Sequence, residues 1–352
     1  MEVTTFYEAA VNGGLEAVCA AELRHRFGDQ ARLLHPAERF RGSIQFTYSG
    51  SPVRLLQMKT VLSLFIVHQS PIPRPRALLG HEIFTYLTEQ IKAVRRIKGK
   101  SAYQTIYLAA AGARSPVMTR LLDELAQHTG LKPAGDEGDL LIRVRRPLDA
   151  PEKGWDVMIR LTPRPLATRD WRVCDFKGAL NAAAAHAIVL LTQPGPQDVF
   201  LNTGCGSGTI LIERAGLMPF RKAIGCDISE EALRCARENA AAAKLTPRLQ
   251  LARWDARSLP LPDQSVDVIC SDLPFGHYVG THQENVALYP DLLAESARVL
   301  KPKGRCVFLT HEVRLMTSLL ERSPDWAVRQ VITIEQNGLN PRIFVLNKKN
   351  NG

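Results

Sequence analysis

Asp198-Val-Phe-Leu-Asn-Thr-Gly-Cys-Gly-Ser-Gly-Thr209 reads as an apolar strand that runs into a glycine-rich turn, with a helix starting near Thr209. Gly204, Gly206 and Gly208 let the backbone pass close to a ligand, and the free N–H groups of the helix start face the same space. This is the opening strand, turn and helix of an α/β sheet that binds a small ligand. A nicotinamide dinucleotide calls for G-x-G-x-x-G/A, whereas here Thr209 holds the last position and Gly208 falls one place early. An NAD-dependent oxidoreductase is weakened by that mismatch and stays as one alternative. A Walker-type phosphate loop is excluded, because Gly99-Lys-Ser101 has Val94 where the first glycine belongs and precedes a strand-like run.

Downstream, apolar runs alternate with helix-like segments, the pattern of a doubly wound sheet. Strands are expected at 199–201, 223–226, 249–252, 266–271 and 306–310. Residues 230–244 are Ala-rich and predict a helix capped by Ser229, with two glutamates at its positive end. Two last strand-like runs, 327–335 and 342–347, are joined through Asn337-Gly338, the chemistry of a hairpin turn.

Acidic residues stand at successive strand ends of this sheet. Asp227, within Gly225-Cys-Asp-Ile-Ser229, is placed to accept both hydroxyls of an adenosine ribose. Asp255, within Arg253-Trp-Asp-Ala256, is placed to accept from the adenine amino group. Ile228 and Ala256 beside them, with Asn202 at the end of the first strand, are assigned to the same adenosyl site. Each aspartate alone is more often a turn or cap residue; together after a glycine loop they are hard to read that way.

After the fourth strand comes Ser271-Asp-Leu-Pro-Phe-Gly276. Asp272 and the Leu273 carbonyl would accept the two hydrogens of an amine on a planar base, Pro274 would fix that carbonyl, and Phe275 would stack on the ring. Holding both N–H bonds turns the amine lone pair toward a sulfonium methyl, and Asp272 can take the released proton. Catalysis is therefore assigned to Asp272, Pro274 and Phe275, with Asp272 also bordering the cofactor. Cysteine chemistry at pyrimidine C5 is disfavoured, since no cysteine lies in this motif; Cys205 and Cys270 read as packing residues.

These residues carry a resemblance to the THUMP-domain RNA guanine-N2 methyltransferases, the family that includes enzymes modifying guanosine 6 of tRNA. Gly13-Gly-Leu-Glu16 resembles the family's opening motif, and Phe176-Lys-Gly-Ala-Leu-Asn181 resembles its segment before the cofactor loop. The acidic-Leu-Pro-Phe-Gly form of the reacting motif is closer to the guanine-N2 branch than the Asn-Pro-Pro-Tyr form of adenine-N6 enzymes. The family's loop usually reads D-P-x-C-G-S-G-T, and Asn202-Thr203 departs from its first two residues. That departure keeps a second alternative open, an RNA-binding protein with the methyltransferase fold and impaired catalysis.

The resemblance implies a fold class of α/β: a Rossmann-like class I methyltransferase domain with a seven-stranded sheet and an antiparallel terminal hairpin, preceded by α+β ferredoxin-like and THUMP domains. The expected division is 1–70 ferredoxin-like, 71–165 THUMP, 166–192 linker and 193–352 methyltransferase. It also implies S-adenosylmethionine as cofactor and tRNA, or another structured RNA, as partner. Arg164, Arg169, Arg172 and Lys177, with Trp171 among them, are assigned to phosphate contacts near the site mouth.

Composition agrees. The 352 residues exceed one typical core, and 45% hydrophobic with 23% charged residues is ordinary globular usage. The net charge of +10 lies mostly in residues 1–165 and favours a polyanionic partner. Two clusters stand out there, Arg95-Arg96 with Lys98 and Lys100, and Arg143 with Arg145-Arg146. The front half reads as α+β, with helices at 15–27 and 116–129 among strands at 43–48, 104–109, 140–144 and 156–161. The longest apolar stretch, 179–191, is interrupted by Asn181 and His186, so no membrane span is expected, and the start has no basic leader. A cytoplasmic, monomeric protein without metal is expected, its seven scattered cysteines reduced and mostly buried.

Overall fold

A computed structural model describes residues 4–274, 281–336 and 338–349. The chain forms two compact units, one of residues 1–11 and 19–167, the other of residues 12–18 and 168–352. The divide falls two residues beyond the Pro-Arg-Pro connector at 163–165.

The first unit is built on one eight-stranded sheet. Its strands are β1 (Thr4–Ala10), β2 (Ala31–Leu33), β3 (Ser43–Tyr48), β4 (Ser63–Ser70), β5 (Thr105–Ala110), β6 (Lys132–Pro133), β7 (Leu140–Arg145) and β8 (Trp155–Arg160), in the order β2-β3-β1-β4-β8-β7-β5-β6. β4 pairs antiparallel with β8, so the sheet runs on across the expected border at residue 70. The helices are α1 (Glu16–Phe27), the single-turn α2 (Pro52–Leu55), α3 (His81–Lys98) and α4 (Pro116–Thr129). The α3 and α4 stripes Leu87, Ile91, Val94 and Leu121, Leu125 share a core with Phe46 and Ile142. Of the two basic clusters, the second is engaged in this unit: Arg145 pairs with the buried Glu8, and Arg143 and Arg146 lie over the rings of Phe65 and Trp155.

The second unit is the α/β domain read from the glycine stretch. Its strands are β9 (Val199–Thr203), β10 (Lys222–Asp227), β11 (Leu249–Arg253), β12 (Val266–Asp272), β13 (Leu300–Thr310), β14 (Trp326–Thr333) and β15 (Arg342–Lys348). They form a seven-stranded sheet in the order β11-β10-β9-β12-β13-β15-β14. The first five are parallel, and β15 runs antiparallel to both β13 and β14. Helices α5 (Ala182–Leu191), α6 (Thr209–Leu217), α7 (Glu230–Ala242), α8 (His282–Val299) and α9 (Val313–Arg322) complete it.

Both faces of a parallel sheet must be covered, and the side chains alternate accordingly. Leu201, Ile269 and Phe308 pack with Tyr289, Leu292 and Met316 of α8 and α9, while Phe200, Val268 and Val307 pack with Ala184, Ile188 and Leu211 of α5 and α6. Ser229 caps α7 as expected, its hydroxyl accepting from the Ala232 N–H. The Gly13-Gly-Leu motif belongs to this unit: Leu15 is fully buried beside Leu180 and Phe200, and the Gly13 carbonyl accepts from Glu335 N (2.8 Å). Gly14 has φ +95°, and a Cβ there would lie 2.1 Å from the Thr333 carbonyl oxygen, so the motif needs glycine at this place.

One expectation is corrected. Cys174 and Cys235, read as reduced thiols, are joined by a disulfide with Cα atoms 5.4 Å apart. They lie 61 residues apart, and only the path of the 172–180 segment along α7 brings them together. The remaining five cysteines are buried. Among the described residues no helix is long and apolar enough to cross a membrane, and no cluster of His, Cys, Asp and Glu is arranged to hold a metal.

Candidate active site

Strand order reverses between β9 and β12, and a crevice opens at the carboxyl ends of the strands there. Its cavity holds about 380 Å³, lies entirely in the second unit, and falls in the range of small-molecule sites. Pairing of Gly225 with Asn202, and of Cys226 with Thr203, puts Asp227 level with the glycine turn. Pairing of Asp227 with Arg253 puts Asp255 two residues beyond it on the neighbouring strand.

Of the expected cofactor residues, Asn202, Gly204, Gly206, Asp227, Ile228, Asp255, Ala256 and Asp272 all line this cavity. Gly204 and Gly206 have φ of +57° and +54°, which a side chain would strain. Gly208 does not line it: this residue caps α6 at φ +80°, where a Cβ would come within 3.2 Å of Ala236 Cβ on α7. Its work is helix packing.

Asp227 takes one backbone N–H on each oxygen, from Gly206 and Ser229, both at 2.9 Å. A carboxylate has about four lone-pair sites, so each oxygen keeps one for a ribose hydroxyl. Asn202 is 1% exposed, and its Nδ2 donates to the Cys270 carbonyl at 2.8 Å. Its Oδ1 is buried in the cavity lining without a hydrogen-bond partner among the described residues, an acceptor held ready for a ligand donor. Asp255 has a partner the sequence did not reveal: Arg257 Nη2 donates to its Oδ2 at 2.7 Å, and these hydrogen bonds hold the carboxyl below the usual range.

Asp272 ends β12, with Leu273 continuing the ladder through its N–H to Leu309 O (2.9 Å). Burial pushes its carboxyl up to about 7, and no donor meets it among the described residues. Beside it Tyr289 of α8, itself fully buried, donates to the Pro274 carbonyl and lies 2.7 Å from Thr310 Oγ1. Pro274 lines the cavity; Phe275, expected to stack on the base, lies outside the described residues, as does Asn337 of the hairpin turn. Burial raises Cys205 and Cys270 far above the ordinary thiol range, which keeps them protonated and inert.

The basic residues assigned to RNA divide. Lys177 lines the cavity mouth with Phe176 and Gly178. Arg169 is placed inside the domain: it is 7% exposed and donates to Glu213 Oε1 at 2.8 Å, while Nδ1 of buried His186 donates to Oε2 at 2.8 Å. Burial raises the Glu213 carboxyl, but His186 and Arg169 outweigh it and hold the group below its ordinary range. Arg172 also turns inward, donating to Leu180 O and Thr209 Oγ1. Interior ion pairing replaces the phosphate contact expected of Arg169, since a guanidinium closed in on a carboxylate has no face to offer. Arg164 belongs to the first unit and is exposed.

Sequence reading missed Trp254, Leu288 and Leu292 as lining residues. The i, i+4 spacing of Leu288 and Leu292 marks one helix face and was the available signal.

The family model described as "RMKL-like, methyltransferase domain" (UPF0020) matches residues 169–341. The chain is 35% identical over 193 residues to the tRNA (guanine(6)-N2)-methyltransferase of Thermus thermophilus, covering 54% of this chain and 56% of that protein. It is 35% identical over 156 residues to the U6 snRNA (guanine-N(2))-methyltransferase of Mus musculus, covering 44% and 28%. The matches thus span little more than half of the first relative and under a third of the second. The crystal structure of TrmN from Thermus thermophilus shares the fold, at TM-score 0.76 and 24% identity over 98% of this chain and 100% of that one.

Proposed function

We propose, from the membership of residues 169–341 in the UPF0020 family of RMKL-like methyltransferase domains, that this chain methylates the exocyclic N2 amine of a guanosine in tRNA, with acceptor-stem position 6 as the target. One observation carries the reading: Asp227, Asp255 and Asp272 converge on one cavity, and the carboxylate of Asp272 is left without a donor among the described residues. The two relatives named above both carry guanine-N2 activity in their names, on different RNAs. Their shared chemistry supports the amine as the target, and the higher coverage of the tRNA enzyme favours tRNA.

The residues present fit S-adenosylmethionine. Asp227 offers an acceptor on each oxygen to ribose hydroxyls, Asp255 faces the adenine end, and the unpartnered Asn202 Oδ1 suits an ammonium donor. An amide in place of the family's usual acid keeps the acceptor and gives up the charge. When bound, S-adenosylmethionine supplies an electrophilic methyl on a sulfonium.

Asp272 and the Leu273 carbonyl accept the two N–H bonds of the guanine amine, so that its lone pair, perpendicular to the ring and otherwise shared with it, is held facing the cavity. Asp272 takes a proton as the new N–C bond forms; an acid near pH 7 is matched to that task. Tyr289 steadies the turn through the Pro274 carbonyl, and stacking on the base is the role proposed for Phe275. Lys177 at the mouth and Arg164 supply phosphate contacts, and the basic first unit, as ferredoxin-like and THUMP domains, holds the RNA. The protein works as a monomer in the cytoplasm.

Incubation with unmodified tRNA and methyl-labelled S-adenosylmethionine tests the reading. Label is expected in RNA with the wild type and reduced by roughly a hundredfold or more with Asp272→Ala; a chain that binds both partners yet transfers no label would be the RNA-binding alternative.

A further inference from the structure

We propose that Asn239 and Arg172 are positioning residues that seat the segment 172–180 as a wall of the cofactor pocket; the inference rests on reading that pocket as an adenosyl site. The segment contains neither helix nor strand, so it has no backbone ladder to fix its place. Its residues Phe176 to Leu180 nevertheless line the cavity, facing Ser207 and Thr209 of the glycine turn. Side chains must hold it there.

Asn239 of α7 is wholly buried, with all four hydrogen-bonding positions of its amide filled. Its Oδ1 accepts from the Val173 and Cys174 N–H groups, both at 2.9 Å, and its Nδ2 donates to Cys174 O (2.9 Å) and Ser207 O (3.1 Å). One side chain therefore ties the segment to the glycine turn. Arg172 makes a second tie at the far end of the wall, its Nη2 donating to Leu180 O (2.7 Å) and to Thr209 Oγ1 (2.8 Å) at the start of α6. Phe176 to Leu180 lie between the two ties. The Cys174–Cys235 disulfide binds the segment to α7 one turn before Asn239. A wall fixed before the ligand arrives spares the ordering cost of binding, so losing a tie should show as weaker cofactor affinity.

Asn239→Ala and Arg172→Ala are compared with wild type in a dithiol-reducing buffer, so that the disulfide does not substitute for the side-chain ties. Calorimetry with S-adenosylhomocysteine is expected to give a Kd raised about tenfold or more in each, with tRNA affinity within about threefold. Leu233→Ala, buried on the same helix without a hydrogen bond to the segment, serves as the control for mere destabilisation and should keep its Kd. Backbone amide exchange over residues 172–180, read without ligand, should accelerate in both variants. If Asn239→Ala does not fold, Arg172→Ala, partly exposed, carries the test. Wild-type binding with unchanged Kd and unchanged exchange in the variants would overturn the proposal. So would an Arg172→Ala variant that loses RNA affinity alone, which would return Arg172 to a phosphate contact. Absence of binding by the wild type contradicts the adenosyl reading instead, while the exchange measurement still decides the ties.

Discussion

Asp272 is the residue on which the proposed chemistry turns, and its surroundings make a pH-dependent prediction. Burial alone moves its carboxyl up to about 7, with no cation or donor among the described residues to offset the cost. Between the ordinary carboxylate range and pH 7 the folded protein then binds more protons at this group than the unfolded chain does. Its contribution to stability is therefore largest at low pH and is lost as the pH rises through about 7. The form able to accept the amine follows the opposite course, so kcat/KM for RNA should climb with pH through about 7 and then level. Asp272→Ala should lower turnover by roughly a hundredfold to ten-thousandfold while cofactor Kd stays within about tenfold, since the partner of this group is the target amine. A flat rate–pH profile, or normal turnover in the variant, would remove Asp272 from the mechanism. Its place was legible because an acid before Leu-Pro-Phe at a fourth strand end has few other readings. The partners of Asp255 and Arg169 were not, because Arg257 and Glu213 are chosen by side-chain packing, which one-dimensional spacing does not encode.

At the scale of elements, the sheet of the second unit was readable almost strand by strand. Buried parallel strands are short continuous apolar runs, and their glycine and acidic ends mark where each stops. The observed strands start and stop within two residues of the expected ones, except that β13 starts six residues earlier, at Leu300. Helix α8 was harder, since its apolar residues carry Pro290 among them, yet it contributes Tyr289 to the reacting turn. Tyr289→Phe keeps the ring in the core and removes only the hydroxyl that holds the Pro274 carbonyl. Turnover should fall roughly tenfold to a hundredfold through misplacement of the turn, with the Kd for S-adenosylhomocysteine unchanged. An equal loss of cofactor affinity would show instead that the hydroxyl supports the pocket as a whole. The 172–180 segment was only half legible: the Phe176–Asn181 motif drew attention, but its role as a wall appears only once α7 and the glycine turn are side by side.

Across the whole molecule, the helices α1 and α4 and the strands β3, β5, β7 and β8 of the first unit were legible one by one, whereas the order in which its strands pair was not. An eight-stranded sheet in which β4 meets β8 depends on pairings nearly a hundred residues apart, and its strands β1 and β4 carry too little local signal to be placed from pattern alone. The Cys174–Cys235 pair escaped notice for the same reason of sequence distance. What joins the scales is one claim, that the strand-end acids of the second unit present an adenosyl methyl donor to a guanine amine held against Asp272. The most direct test is mass spectrometry of the nucleosides from unmodified tRNA incubated with the protein and methyl-labelled S-adenosylmethionine. The account predicts label in N2-methylguanosine, mapped to the acceptor stem; label in N6-methyladenosine or a 5-methylpyrimidine instead would contradict it.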